Sequence, residues 1–116
     1  MPASVYSDER TAAAGVFAAL GDPIRLSLVR RLAEQSPLSA TRLGDGLPVT
    51  RQAVAKHLRV LTDAGILSAR KRGRERLYSL EAERVRQARE ALDDIAAGWD
   101  RALQRLRAHV ERGDTD

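Results

Sequence analysis

Hydrophobic residues recur with a period of 3.6 up to Gly65, with a period of 2 over ILSARKRGRERLYSL, and with a period of 3.6 again from residue 81 to about 112. Those two changes imply a mainly α chain interrupted by one β-hairpin. In the hairpin, Leu67 and Ala69 alternate on one arm and Tyr78 and Leu80 on the other, around a turn near Gly73. The turn is cationic: Arg70, Lys71, Arg72, Arg74 and Arg76 surround a single glycine.

The helices on either side are marked by caps and breakers. Ser7 and Asp8 are cap-type residues for a first helix through Leu20, with Ala12, Ala13, Val16, Phe17, Ala19 and Leu20 at helical spacing. Asp22 caps a second helix with Pro23 in its first turn, where a missing N–H costs nothing, and the apolar face Ile24, Leu28, Val29 and Leu32 runs to about Gln35. Ser36-Pro37 breaks the chain, Leu38 sits in a short extended stub, and Ser39 caps a short helix over ATRLGDG. Thr50 caps the next, from 51 to about 64, with Val54, Leu58 and Leu61 at core spacing. Residues 39–64 therefore have the layout of a helix-turn-helix and 66–80 that of its wing, all within one domain.

The last helix, 81–112, would be roughly 48 Å long at 1.5 Å per residue. Its apolar positions, Val85, Ala88, Leu92, Ile95, Ala96, Trp99, Ala102, Leu103, Leu106 and Val110, form a sustained seam. Three short helices cannot cover it, whereas a second copy of the chain can. Trp99 is expected to pack against helix 7–20 or against that second copy.

Charge is unevenly distributed along the 116 residues. Residues 1–49 balance to 0 and 81–116 to −2, but 50–80 hold eight Lys/Arg against two Asp/Glu, a balance of +6 in a chain whose total is +4. A basic segment on an otherwise balanced protein suits a polyanion. Aromatic side chains are few, Tyr6, Phe17, Tyr78 and Trp99, too few for a platform that stacks single-stranded bases, so duplex DNA is the expected partner. With its apolar face turned inward, the helix from 51 presents Arg51, Gln52, Ala55, Lys56 and Arg59. Arg and Lys can pair with guanine O6/N7 and Gln with adenine N6/N7. The hairpin beside it can grip the backbone or the minor groove. His57 reads as a half-buried residue that fixes contacts between helices.

Other chemistry has little to stand on. No cysteine is present, which removes disulfides, thiolate metal sites and cysteine nucleophiles. Neither a G-x-S-x-G elbow, a phosphate-cradling glycine loop nor H-E-x-x-H occurs, so no enzyme is expected. His109 has no metal-ligating residue at i±3 or i±4 on its C-terminal side or at Arg105 and Leu106, and no metal or other cofactor is expected. No run of about 18 apolar residues suggests a membrane span, and a reducing cytoplasm fits the composition.

The stretches ALGDPIRLSLVRRLAEQSPLSATRLGDGL and VTRQAVAKHLRVLTDAGILSARKRGRERLYSL resemble the ArsR/SmtB family of winged helix-turn-helix transcriptional regulators over about residues 15–80. The resemblance implies a homodimeric repressor on a palindromic operator. It places Thr50, Arg51, Gln52, Ala55, Lys56 and Arg59 toward the major groove, with Arg72, Gly73 and Arg74 at the wing tip and Arg70 and Arg76 behind it. It also implies a dimer interface from the first and last helices: Val16, Phe17, Leu20, Leu92, Ile95, Trp99, Leu103 and Leu106. Two positions depart from the family pattern. Ala55 stands where a serine is frequent, and ATRLGDG stands where the metal-sensing branch has Cys-x-Cys, so the likeness is to members without the usual metal ligands. Two other readings remain open on sequence: a sensor whose small-molecule or metal effector binds at the dimer interface near Trp99, and a winged helix that docks an acidic protein.

Overall fold

The computed structural model of the chain describes the backbone of residues 2–113 and the side chains of 11–113. Along the chain run helices α1 (Pro2–Leu20) and α2 (Pro23–Glu34), strand β1 (Leu38–Ser39), helices α3 (Ala40–Gly44) and α4 (Arg51–Asp63), strands β2 (Leu67–Arg72) and β3 (Glu75–Leu80), and helix α5 (Ala82–Gly113). The expected mainly α architecture with one hairpin wing is what the chain adopts. α1 is longer than the caps suggested. It starts at Pro2 rather than at Ser7 or Asp8, whose side chains lie outside the described residues. A proline tolerates the first helical turn because that N–H has no acceptor anyway.

The other caps work as expected. Asp22 Oδ2 accepts from the Arg25 backbone N–H at 3.0 Å, Ser39 Oγ from Arg42 N–H at 3.2 Å, and Thr50 Oγ1 from Ala53 N–H at 3.1 Å. Each satisfies a backbone donor that the helix leaves open. Between α2 and α3 the guanidinium of Arg31 adds a tie, with Nη1 donating to the carbonyls of Leu43 and Asp45 at 2.7 Å each. The start of the helix-turn-helix is thereby fixed to the helix beneath it.

β1 is more than a stub. It pairs antiparallel with β3, Leu38 opposite Tyr78 and Ser39 opposite Leu77, to give a three-stranded sheet in the order β1-β3-β2. The hairpin register sets Leu67 opposite Leu80, Ala69 opposite Tyr78, Lys71 opposite Arg76 and Arg72 opposite Glu75. Gly73, at φ 63°, takes the first position of the two-residue loop, and no other residue there has positive φ. That is the sign pattern of a II′ turn, whose twist suits a hairpin.

The core lies where α1, α2, α3, α4 and the base of the wing meet: Leu28, Leu32, Leu43, Leu58, Leu61 and Ile66 are wholly enclosed. Val16 belongs to this core as well, at 0% exposure. Contrary to its expected place at a dimer interface, it has no surface left for a second copy; it faces inward because α1 must close the core over α2. Phe17 and Leu20 are half-buried beside it. α5 joins the core only at its beginning, and Ala88 is its last buried residue. The exposed ladder of Arg86 with Glu83 and Glu90 supports its first turns. Beyond that α5 projects, and the radius of gyration is 19.7 Å where a compact chain of this length would have about 13 Å. No single described helix is long and apolar enough to cross a membrane.

Candidate nucleic-acid interface

α4 lies with Val54, Leu58 and Leu61 in the core, and this fixes which side chains point away. Arg51, Ala55 and Arg59 form one outward row at i, i+4 and i+8, and Gln52 and Lys56 form a second; all five are exposed. Val60, 40% exposed, extends the second row. It was not expected there, although its i+4 spacing from Lys56 was the available signal. An apolar side chain in that row has the chemistry to meet a thymine methyl. Thr50 is exposed at the mouth of the helix. Its hydroxyl accepts the Ala53 amide and still has a hydrogen to donate.

The wing stands beside this helix. The period of 2 puts Lys71 and Arg76 on the same face as Ala69 and Tyr78, and Arg70 and Arg72 on the opposite one. Between α4 and the wing runs a cleft of about 240 Å³, walled by Arg59, Thr62 and Asp63 on the helix and by Ala69, Arg76 and Tyr78 on the sheet. Recognition-type helix and wing therefore border one continuous surface. Arg76 is exposed on it, Arg72, Gly73 and Arg74 are exposed around the tip, and Arg70 is exposed on the opposite face of the hairpin.

The electrostatics are unbalanced. Lys71 and Arg76 face each other directly across the strands, an arrangement that is unfavourable without an anion nearby. Among the described residues, no carboxylate comes within ion-pairing distance of Arg51, Lys56, Arg59 or the wing cations. An ordinary solvated surface of mixed charge would neutralise some of these within the protomer. A surface that presents them unpaired is suited to a polyanion supplied from outside.

His57 has the structural place expected of it. Its ring is half-buried, with Nδ1 3.3 Å from Arg25 Nη1 and 3.8 Å from Asp22 Oδ2. Arg25 Nε in turn donates to the Ala19 carbonyl at 2.6 Å. The end of α1, the cap of α2 and the middle of α4 thus share one polar junction, which sets the angle at which α4 leaves the body. In it the Asp22 carboxyl is held below its ordinary value, first by the Arg25 backbone N–H, against the opposing effect of burial, with lesser lowering from His57 and the Arg25 guanidinium. Neither Arg25 nor Asp22 was expected in that role, because contacts between α2 and α4 leave no periodic trace in sequence.

The α5 residues expected at a dimer interface are open to solvent in the protomer. Leu92, Ile95, Trp99, Leu103 and Leu106 are 45–64% exposed. Trp99 leaves 64% of its surface open within its own protomer.

The likeness to known proteins agrees with this geometry. A family model described as a helix-turn-helix domain matches residues 20–68. The HTH-type transcriptional regulator Rv2034 of Mycobacterium tuberculosis is 40% identical over 85 residues, 73% of this chain and 76% of that protein. The HTH-type transcriptional repressor SmtB of the same organism is 34% identical over 92 residues, 79% of this chain and 66% of its own. Among solved structures, an ArsR-like transcriptional regulator from Rhodococcus sp. RHA1 superposes with a TM-score of 0.71 at 37% identity, covering 84% of this chain and 91% of that one. The chain is thus a DNA-binding transcriptional regulator and not an enzyme, and it belongs to the ArsR/SmtB family of winged helix-turn-helix regulators.

Proposed function

We propose that the chain is a homodimeric, sequence-specific repressor that binds a palindromic operator in duplex DNA, in the compartment that holds the chromosome, the cytoplasm. The observation that carries the reading is the unneutralised cationic surface shared by α4 and the wing. In this reading Arg51, Gln52, Ala55, Lys56 and Arg59, with Thr50 at the helix mouth, lie in the major groove, and Arg70, Arg72, Gly73, Arg74 and Arg76 hold the adjacent backbone and minor groove. Repression follows if the operator overlaps a promoter, since a dimer of this size blocks access there; the name of the SmtB relative supports that sign.

The test is the salt dependence of duplex binding. About eight phosphates neutralised per dimer predicts that log affinity falls against log salt with a slope of about −7. A flat dependence, or no binding to duplex at moderate salt, contradicts the reading and favours an acidic protein as the partner of the wing.

A further inference from the structure

His57 is carried by α4, and the two charged groups that face its Nδ1 belong to α2 in the body: Arg25 Nη1 at 3.3 Å and Asp22 Oδ2 at 3.8 Å. They make opposite demands on that nitrogen. A guanidinium stays charged and only donates, so the contact with Arg25 requires Nδ1 to offer a lone pair and the ring to be neutral, with its proton on Nε2. A carboxylate only accepts, so a bond to Asp22 requires a proton on Nδ1. The shorter distance is to Arg25, which makes the arrangement described that of the neutral ring.

Both partners are anchored to the body. Arg25 Nε donates to the Ala19 carbonyl of α1 at 2.6 Å, so the guanidinium keeps its place if the ring leaves it. Asp22 is held by the Arg25 backbone N–H at 3.0 Å, and its lowered carboxyl remains ionised wherever an imidazole titrates. The other charges of the elements packed on α4 stand elsewhere. α1 has no charged side chain from Thr11 to Leu20, and those of α3 and β2, Arg42, Arg70, Lys71 and Arg72, are exposed. On α2, Arg31 is committed to the carbonyls of Leu43 and Asp45, and Arg30 and Glu34 are exposed. On α4 itself Lys56 and Arg59 lie in the outward rows. With the His57 side chain only 20% exposed, water has little room to replace either partner.

We propose that Arg25 and His57 are positioning residues for the reading of DNA: α4 holds its angle while the neutral ring accepts from Arg25, and a proton on Nδ1 transfers the ring to Asp22. Shortening 3.8 Å to a charge-assisted bond of about 2.8 Å draws the middle of α4 roughly 1 Å against the body. Contacts to base edges depend on direction and length, whereas attraction to phosphates tolerates such a shift. Acid therefore lowers the preference for the operator more than the general attraction to duplex, which the added charge favours. Each protomer sheds a proton to read its half-site, so operator binding and proton binding oppose each other reciprocally. This rests on the DNA-binding reading above and adds a pH dependence with the residues that set it.

The chain has two histidines, His57 and the exposed His109, so nitrogen-15 spectra of the free protein distinguish both rings. At about pH 8, above the range in which an imidazole ordinarily takes up its proton, the proton of His57 should be on Nε2; a proton on Nδ1 overturns the proposal. Binding is then measured from about pH 8 to 5.5 at constant salt, on a duplex selected from a random pool at the alkaline end and on a random-sequence duplex of equal length. Log affinity for the selected duplex should fall with a slope of up to about 1 per protomer, and that for the random duplex less steeply or not at all. His109→Gln should keep the slope. His57→Asn, whose Oδ1 can accept from Arg25 without titrating, should abolish it. Asp22→Asn removes the charge that holds the protonated ring and should shift the fall to lower pH. Equal slopes on both duplexes, a slope that survives His57→Asn, or a fall that Asp22→Asn leaves in place overturns the proposal and leaves DNA reading standing. Failure to select any sequence, or to bind duplex at any pH, overturns both.

Discussion

Gln52 and the wing arginines are exposed polar side chains in different elements, and the proposed complex gives them different work. In the proposed complex Gln52, in the first turn of α4, would reach a base edge with its side chain amide, whereas Arg72 and Arg74, which flank the hairpin tip, would meet phosphates. Gln52→Ala is therefore expected to change which duplex sequence is preferred, and the double change of Arg72 and Arg74 to Ala to weaken all duplexes alike and reduce the salt slope by about 2. Binding selections with the three proteins separate the two effects; if both variants act uniformly, the division between base and backbone roles is wrong. Ala55 belongs to the same face, and at the position where the family often has serine it offers a methyl group in place of a hydroxyl. Asp22 has a role in stability instead. Its folded pKa is below the ordinary value of 3.8, so its contribution is complete above that value and is lost as pH falls through the folded one. Asp22→Asn keeps a capping oxygen without the charge, and thermal melts from roughly pH 3 to 6 should show a shallower acid limb than the parent protein. An unchanged acid limb contradicts the assignment.

The elements differ in how plainly their sequences announce them. α2, α3 and α4 each begin at a side chain that accepts the amide three residues on, so Asp22, Ser39 and Thr50 were readable caps, and the alternation around Gly73 gave the hairpin arms their faces. The exposed face of α4 followed from its buried one. β1 was not readable as a sheet strand, because two residues carry no period and their partners on β3 are 40 and 38 positions away. The start of α1 was hidden by Ser7 and Asp8, cap-type residues inside a helix. Val16 was misplaced because an apolar stripe records that a helix buries a face and says nothing of which body buries it. The junction of Arg25 with His57 depends on tertiary approach alone. Between α4 and the wing, Gly65 takes φ 79°, and a Cβ there would lie 2.9 Å from the guanidinium carbon of Arg84. That side chain can swing away, but the backbone strain remains, so Gly65→Ala should cost about 1–2 kcal/mol. Denaturant unfolding checks this, and Arg84→Ala should not rescue the loss; if it does, the crowding rather than the backbone conformation is the cause.

At the scale of the molecule, the body and the projecting half of α5 divide the labour. The body holds α4 at a fixed angle through the core and the Arg25–His57 junction, and α5 carries an apolar stripe that the protomer itself leaves open. One protomer presents one recognition helix and one wing, enough for non-specific attraction to phosphates. Two protomers related by a two-fold axis present two of each at a fixed separation, and the sequence preference of α4 then has to be satisfied twice, in inverted orientation. In the proposed dimer the basic segment, the wing and the stripe are joined in one requirement on DNA. Selection of bound duplexes from a random pool tests this most directly. An inverted repeat is the expected product, its half-sites separated by a whole number of helical turns, about 10 base pairs or a multiple. Recovery of a single unrepeated site, or of no preferred sequence at all, would contradict it.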